Sequence, residues 1–419
     1  MMRIGFSRAE ITPPLGTELG GYAGYRPCAG VHDPLWCKAV LLEQEGIRYG
    51  LIVLDLMCVD EALYRKIAEA VVPLGICRER LIVSAIHSHA APGGLVLGAG
   101  ALAAVNSTIE PRDPGFSEYI QKVIHAAASA CEQAEAELEP FQVRLARGDL
   151  PAVGTERHTG AAAKGALTVI QFRTESGKVL TVYNFPCHPT VTNAENLLVS
   201  ADFVGGIEGL LGGDMAVFVN GAAGDISTRY TRRESTFDEC NRMGQLAAER
   251  ILTVIDGAPY CQPQPLRGIH TTVTLQARQT EPPEEAERRL AETTARWVAA
   301  QAEGTDPATL RILKSYVEGA GVNLEFARTM GGIRQLHLPV TAFRFMGLDV
   351  VSVPGELYSA LQPENVAVIG YANGYFRYLA GLEAYEAGHY EAMASIIAPG
   401  EGERLVEHLL ALLEKLRKS

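Results

Sequence analysis

Short apolar, β-branched runs recur along the chain at residues 80–86, 178–185, 214–219, 348–353 and 366–370. Each has the length of a strand. Each is followed at once by turn residues and then by polar side chains. The first leads into Ile86-His87-Ser88-His89 and then Pro92-Gly93-Gly94. The second ends in Pro186-Cys187-His188-Pro189-Thr190. The third runs into Asn220-Gly221 and Gly224-Asp225-Ile226-Ser227. The fourth ends in Pro354-Gly355-Glu356, and the fifth opens a loop with Asn373, Tyr375 and Tyr378. A parallel sheet gathers such strand ends at one rim, where open α/β folds place their ligands.

Between these runs the pattern changes to helical spacing. Residues 60–72 predict a helix with Asp60 near its cap, and 114–136 and 237–254 predict longer ones. From residue 278 the character shifts. Pro282-Pro283 opens a charged helix with Ala286, Leu290, Trp297 and Val298 roughly on one face, and a second helix starts near Asp306-Pro307. This helical insert, about 278–332, reads as a lid, an oligomer contact or a piece packed on the sheet. Strands return from Gln335, and Leu405, Leu409, Leu412 and Leu416 mark a closing amphipathic helix. No linker, repeat or low-complexity segment divides the chain. The prediction is a single large α/β domain over 1–419, with mainly parallel or mixed central sheets flanked by helices plus the insert.

Composition supports a large core: 419 residues, 47% hydrophobic, with 42 Gly for tight strand-to-loop turns. Net charge is −12, from 37 basic and 49 acidic residues. That argues against nucleic acid and against an anionic membrane surface as partners. No apolar stretch is long enough to span a bilayer, and residues 1–8 carry no apolar leader core. The eight Cys show no Cys-x-x-Cys pair and read as buried thiols, Cys187 included. The expectation is a cytoplasmic protein, with a homo-oligomer allowed.

The candidate chemistry sits at the strand ends. His87 and His89, one residue apart, suit one metal ligand and one acid or base beside it. Each candidate also has a plain structural reading. His87 and His188 could be core histidines, and Glu356 a carboxylate favouring a helix N-terminus. Tyr378 could be a packed aromatic, Ser227 a turn residue and Arg157 an ion-pair partner. Asp202 and Asp225 read as loop-bracing carboxylates.

Several short motifs occur together: Ala9-Glu10-Ile11-Thr12-Pro13-Pro14 with Gly20-Gly21-Tyr22, the His87/His89 run, and Val199-Ser200-Ala201-Asp202-Phe203. Gly224-Asp225-Ile226-Ser227, Pro354-Gly355-Glu356 and Asn373-x-Tyr375-x-x-Tyr378 follow, with Tyr385-Glu386 and Tyr390-Glu391 beyond. In this order the chain resembles the catalytic domain of the neutral, non-lysosomal ceramidase family. The resemblance implies two packed sheets and a zinc-dependent amide hydrolase with one zinc per chain. It implies that His87, His188, Glu356 and Tyr378 are ligands and that His89 transfers a proton. It implies that Arg157 stabilises developing charge, and that Ser227 is a nucleophile or positions the substrate. The chain departs from the family at Cys187-His188-Pro189-Thr190 and at Thr228. The family's immunoglobulin-like C-terminal domain and secretory leader are expected to be missing.

Chemically, two imidazoles, a carboxylate and a phenolate suit Zn²⁺, which makes water a nucleophile near neutral pH. Attack by that water and direct attack by Ser227 both remain open, the former needing no acyl-enzyme. The substrate reading is a small-molecule or lipid N-acyl compound, ceramide included. The alternatives are a zinc hydrolase for a small non-lipid N-acyl or ester substrate, and a non-catalytic metal- or ligand-binding protein on the same scaffold.

Overall fold

All five apolar runs form strands, and every one lies in a parallel pair. The structure, a computed structural model, describes residues 2–96, 112–113, 115–149, 152–163 and 167–418. Its larger sheet has eight strands: β1 (Met2–Glu10), β2 (Trp36–Gln44), β3 (Ile47–Leu54), β4 (Leu81–Ala85), β5 (Glu139–Gly148), β6 (Leu167–Thr174), β7 (Val179–Phe185) and β8 (Met215–Asn220). Their order is β8-β7-β6-β5-β1-β2-β3-β4. A second sheet has β9 (Arg267–Gln276), β10 (Gln335–Phe345), β11 (Leu348–Ser352) and β12 (Val366–Ile369), in that order. The pairs β3/β4, β7/β8 and β11/β12 are parallel. The remaining pairs of the two sheets are antiparallel. The sheets are therefore mixed, and the parallel pairs are the ones whose ends carry the candidate chemistry.

Helices cover the sheets. They are α1 (Glu61–Val71), α2 (Phe116–Ala136), α3 (Phe203–Leu211), α4 (Phe237–Ile255), α5 (Pro283–Ala302), α6 (Pro307–Thr329), α7 (Leu382–Ala387), α8 (Tyr390–Met393) and α9 (Glu401–Lys418). Asp60 caps α1 by accepting from Leu63 N at 2.6 Å. The expected start of α2, Pro114, lies outside the described residues. Helix α2 packs on β1 and β2, and α4 packs on β5 and β6. The face of α9 with Leu405, Leu409, Leu412 and Leu416 is buried against β9 and β10. Among the described residues, no helix is long and apolar enough to cross a membrane.

Helices α5 and α6 form an antiparallel hairpin, and α6 rests on α8. On α5, Ala286 is buried and Leu290 and Trp297 are half-buried, as the spacing predicts. Val298 departs from it, being 52% exposed. It lies about 100° further round the helix than Trp297, which takes it off the inner face.

The two sheets meet at the edges of the larger one. Strands β4 and β8 are its outer strands, and β8 lies against β3, β4 and β12. Asn184, on β7, donates through Nδ2 to Val219 O at 2.7 Å and to Val368 O at 2.8 Å. The free edge of β4 is satisfied by a side chain. Asn373 Oδ1 accepts from Val83 N at 2.7 Å, and its Nδ2 donates to Leu81 O at 3.1 Å. Beyond the strand ends, Asn220 Nδ2 donates to Ile86 O and Cys187 O, each at 3.0 Å. Gly370 N donates back to Asn220 O at 2.9 Å. Buried asparagines thus tie four loops into one rim, because edge groups removed from water need partners.

Asn373 is fully buried with φ 61°, a conformation that Asn tolerates better than Ala. Asn373→Ala should therefore destabilise the protein by about 2–5 kcal/mol, because two buried backbone groups lose their partners. A urea unfolding midpoint equal to the parent's would refute that role.

Candidate active site

The rim carries a buried cluster of imidazoles and one carboxylate. His87 follows β4 in a left-handed turn, φ 70°. Its N–H donates to Leu56 O at 3.0 Å, and its Nδ1 lies 2.6 Å from Met57 O. His188 follows β7. Its N–H and its Nδ1 both lie 3.0 Å from Ile226 O. A carbonyl can only accept, so Nδ1 carries the proton in both rings. Each Nε2 is then a bare lone pair aimed into the cluster.

Those lone pairs meet Glu356. Its Oε2 lies 3.0 Å from His188 Nε2 and 3.5 Å from His87 Nε2. Its Oε1 accepts from the Tyr375 hydroxyl at 2.6 Å. His89 Nε2 stands 3.4 Å from His87 Nε2. These separations resemble the edge of about 3.3 Å in a tetrahedron of ~2.0–2.1 Å metal–ligand bonds. His87, His89 and His188 can bring their ligand atoms within 4.8 Å of one another. The cluster, with Glu356, is thus a donor set that could hold a metal ion.

The surroundings explain the motifs. Gly21 has φ 87°, and a Cβ there would lie 2.4 Å from His89 Cγ, so a side chain would collide with the imidazole. The Tyr22 ring meets His89 edge-on at 4.8 Å. Buried Arg26 donates to Gly20 O at 3.0 Å and to His89 O at 3.1 Å, locking this wall. Gly224 lets the next loop approach: a Cβ would sit 2.9 Å from the carbonyl oxygens of both Glu356 and Leu357. Asp202 accepts from the backbone of Val191, Thr192 and Phe203. Asp225 accepts from Ser359 N at 2.6 Å and from its hydroxyl at 2.8 Å. Both aspartates brace loops. Cys187 is a buried thiol whose pKa is pushed up by desolvation.

Tyr378 and Arg157 lie alongside. Tyr378 pairs in register with Glu356 in a short parallel bridge. Arg157 Nη1 reaches Gly224 O at 3.1 Å, Glu391 Oε1 at 3.2 Å and the Tyr378 hydroxyl at 3.4 Å. Ser227 lines the same cleft as His89, Arg157 and Tyr378, a space of about 370 Å³. Its strand neighbour is His188, through a β-bridge. No hydrogen bond joins the Ser227 hydroxyl to an imidazole among the described residues. The seven candidates therefore gather at one place, and each of the five apolar runs contributes to it.

Burial controls the protonation states. Burial, and then the charge of Arg157, depress His188 to about 4. Burial also holds His89 well below the ordinary imidazole value, so it is neutral at pH 7. Its Nδ1 is buried and has no partner. Burial lifts the Tyr378 hydroxyl well above the ordinary phenol value, which keeps it protonated in the metal-free protein.

Sequence reasoning assigned no role to the layer behind the cleft. Tyr371 stacks on His87 at 4.2 Å, and Tyr375 holds Glu356. Glu391 pairs with Arg157 and with His158 Nε2 at 2.8 Å, and His158 stacks on His389 at 3.5 Å. The one signal was the concentration of Tyr and Glu over residues 371–391.

The family model for neutral/alkaline non-lysosomal ceramidase, N-terminal, matches residues 2–217. The neutral ceramidase of Pseudomonas aeruginosa is 24% identical over 222 residues, which is 48% of this chain and 32% of that protein. The matched region thus spans about a third of that relative's length. The crystal structure of neutral ceramidase from Pseudomonas aeruginosa superposes with a TM-score of 0.74 at 18% identity, covering 100% of this chain and 74% of that one. A ceramidase complexed with C2 superposes at 0.72 with 17% identity, covering 100% and 75%. At these identities the structural likeness speaks for the fold.

Burial opposes ionisation of Glu391, yet the hydrogen bond from His158 and the charge of Arg157 pull its pKa down to about 2 from 4.5. A depressed carboxyl stabilises the fold above its unfolded value and loses that contribution as pH falls through the folded one. Between pH 4.5 and 2, stability should drop on the order of 3 kcal/mol through this group. Glu391→Gln should flatten that part of the unfolding free-energy curve. An unchanged slope would show that Glu391 gains nothing from its partners.

Proposed function

The chain belongs to the neutral/alkaline non-lysosomal ceramidase family, and on that premise we propose that it is a zinc-dependent hydrolase of N-acyl amide bonds. The observation that carries this reading is the approach of His188 Nε2 and His87 Nε2 to Glu356 Oε2, at 3.0 and 3.5 Å, with both Nδ1 atoms tied to backbone carbonyls. Backbone tethers of this kind orient imidazole ligands. Nitrogen and carboxylate donors in a closed, buried set suit zinc.

His87, His188 and Glu356 would hold the ion, and Tyr378, a fourth ligand by the family resemblance, carries a hydroxyl that burial keeps protonated beside Arg157. Zinc in such a set supplies Lewis acidity and a water nucleophile near neutral pH. The chain's own residues do the rest. Tyr375 fixes the carboxylate through Oε1, leaving Oε2 for the ion. His89 is neutral and lies in the cleft, so it can take a proton from the attacking water and return it to the leaving amine. Arg157 and the Tyr378 hydroxyl face the same space and would stabilise the oxyanion of the tetrahedral intermediate. Fixed by Glu391, Arg157 needs little rearrangement to do so. Among the described residues no base is hydrogen-bonded to Ser227 to activate it, which favours attack by water and leaves Ser227 to position the substrate.

The cleft bears on the substrate. Its lining is rich in charged and polar side chains around His89, Ser227 and Arg157. Among the described residues, an apolar cavity of about 260 Å³ lies between the sheets among Val40, Ile82, Phe172 and Phe343, and none of the candidate site residues lines it. The polar lining of the described cleft favours a small non-lipid N-acyl compound over ceramide.

Metal analysis of the purified protein should find about one zinc per chain. His87→Ala/His188→Ala should lose it, and Tyr375→Phe should weaken zinc affinity about 10–100-fold. A double variant that keeps its zinc would remove these histidines from the ligand set. His89→Ala should keep the metal but lower kcat about 10²–10⁴-fold. Ser227→Ala should stay within about tenfold of the parent, whereas a loss nearer 10⁶-fold would make Ser227 the nucleophile.

A further inference from the structure

The cleft is far more basic than the protein that contains it. Arg157 lies at its base, the turn after Ser227 brings Arg229 and Arg232, and α6 adds Arg311 and Lys314 from above. Glu318, on the same helix, is the one carboxylate lining it among the described residues. Five cations facing a single carboxylate, in a chain of net charge −12, run against the composition.

Most of this charge has no direct ion-pair partner among the described residues, although Glu318 acts at longer range on Lys314 and Arg229. Arg157 shares buried Glu391 with His158. Arg232 directs Nη1 to the Thr190 and Val191 carbonyls, which satisfy hydrogen bonds but carry no charge. Among the described residues, no carboxylate lies within ion-pair distance of Arg229, Arg311 or Lys314. The guanidinium groups also act on one another. Burial, and then the charge of Arg157, lower the pKa of Arg229, while burial and then Arg232 lower that of Arg311. Like charges crowded into a half-enclosed space repel, and an anion between them relieves that repulsion. A neutral amide such as ceramide gives none of them a partner.

We infer that this cleft takes N-acyl amides bearing an anionic group (a carboxylate, sulfonate or phosphate), seated among Arg229, Arg311 and Lys314 with the amide at the histidine–Glu356 cluster. The inference rests on the amide-hydrolase reading and narrows its substrate class. It also gives the helical insert a role in substrate binding, because α6 supplies two of these three cations. That helix is anchored on α8, where a Cβ at Gly319 would come within 2.8 Å of Met393 Sδ. The anion site is therefore a wall built by tertiary packing, and Arg311 and Lys314 project from one turn of it, three residues apart.

The test uses four amides with one acyl chain: N-octanoylglycine, N-octanoyltaurine, N-octanoyl-O-phosphoethanolamine and neutral N-octanoylethanolamine. Binding is read by calorimetry on the whole chain without zinc, so the result does not depend on turnover. At least one anionic amide should bind about tenfold or more tightly than the neutral one. That advantage should shrink as salt rises. The best of the three identifies the anion. Arg311→Gln/Lys314→Gln should remove most of the advantage, and Arg311→Lys should retain it. Equal or tighter binding of the neutral amide overturns the inference, as does failure of all four to bind. Turnover with zinc then separates the two readings. Hydrolysis of the neutral amide without anion preference leaves the hydrolase standing and the anion site refuted. Anion-selective binding with no hydrolysis of any amide does the reverse.

Discussion

The arrangement of this site depends on two hydrogen bonds in which imidazole Nδ1 donates to the backbone, from His87 to Met57 O and from His188 to Ile226 O. They choose the tautomer, fix the ring planes and leave both Nε2 lone pairs pointing at Glu356 Oε2. Without them each ring could rotate or move its proton. Two imidazole nitrogens within 3.5 Å of a carboxylate oxygen would then have no reason to face it. Facing it, they form a hole that could hold a cation, and the surrounding burial strengthens every charge interaction inside it.

Those two bonds require a rim, and the rim requires the parallel pairs. Antiparallel neighbours end at opposite edges, so they would scatter the five polar loops. The pairs β3/β4, β7/β8 and β11/β12 instead release their chains on one side. Buried Asn220 and Asn373 then stitch the loops together through backbone groups that would otherwise be orphaned. The aspartates follow the same logic: Asp202 and Asp225 are buried carboxylates that serve loops, not ligands. Around this rigid base stands a charged wall from α6, a part of the chain that contributes little to the main core.

What the sequence by itself determined was the set of strand ends and their residue types. Uniform apolar runs of strand length followed by turn residues are a strong local signal, and His87, His188, Ser227, Glu356 and Tyr378 each follow such a run. The caps and periodicity of the helices were equally local: Asp60 at α1 and the leucine face of α9 were legible. Val298 was not, because a single position on a weakly amphipathic helix carries little phase information. Tertiary structure alone decided that residues as distant in sequence as His87 and Glu356 lie a few ångströms apart. It decided which lone pairs face inward, and that Tyr375, Glu391 and His158 stand behind the ligand set. It also decided the cleft's charge. Arg157, Arg229, Arg232, Arg311 and Lys314 are spread over three segments of an acidic chain and become a basic surface only when packed. Local patterns are set by backbone sterics and burial within a few residues, whereas lone-pair direction and summed electrostatic field are properties of distances that exist only once the chain has folded.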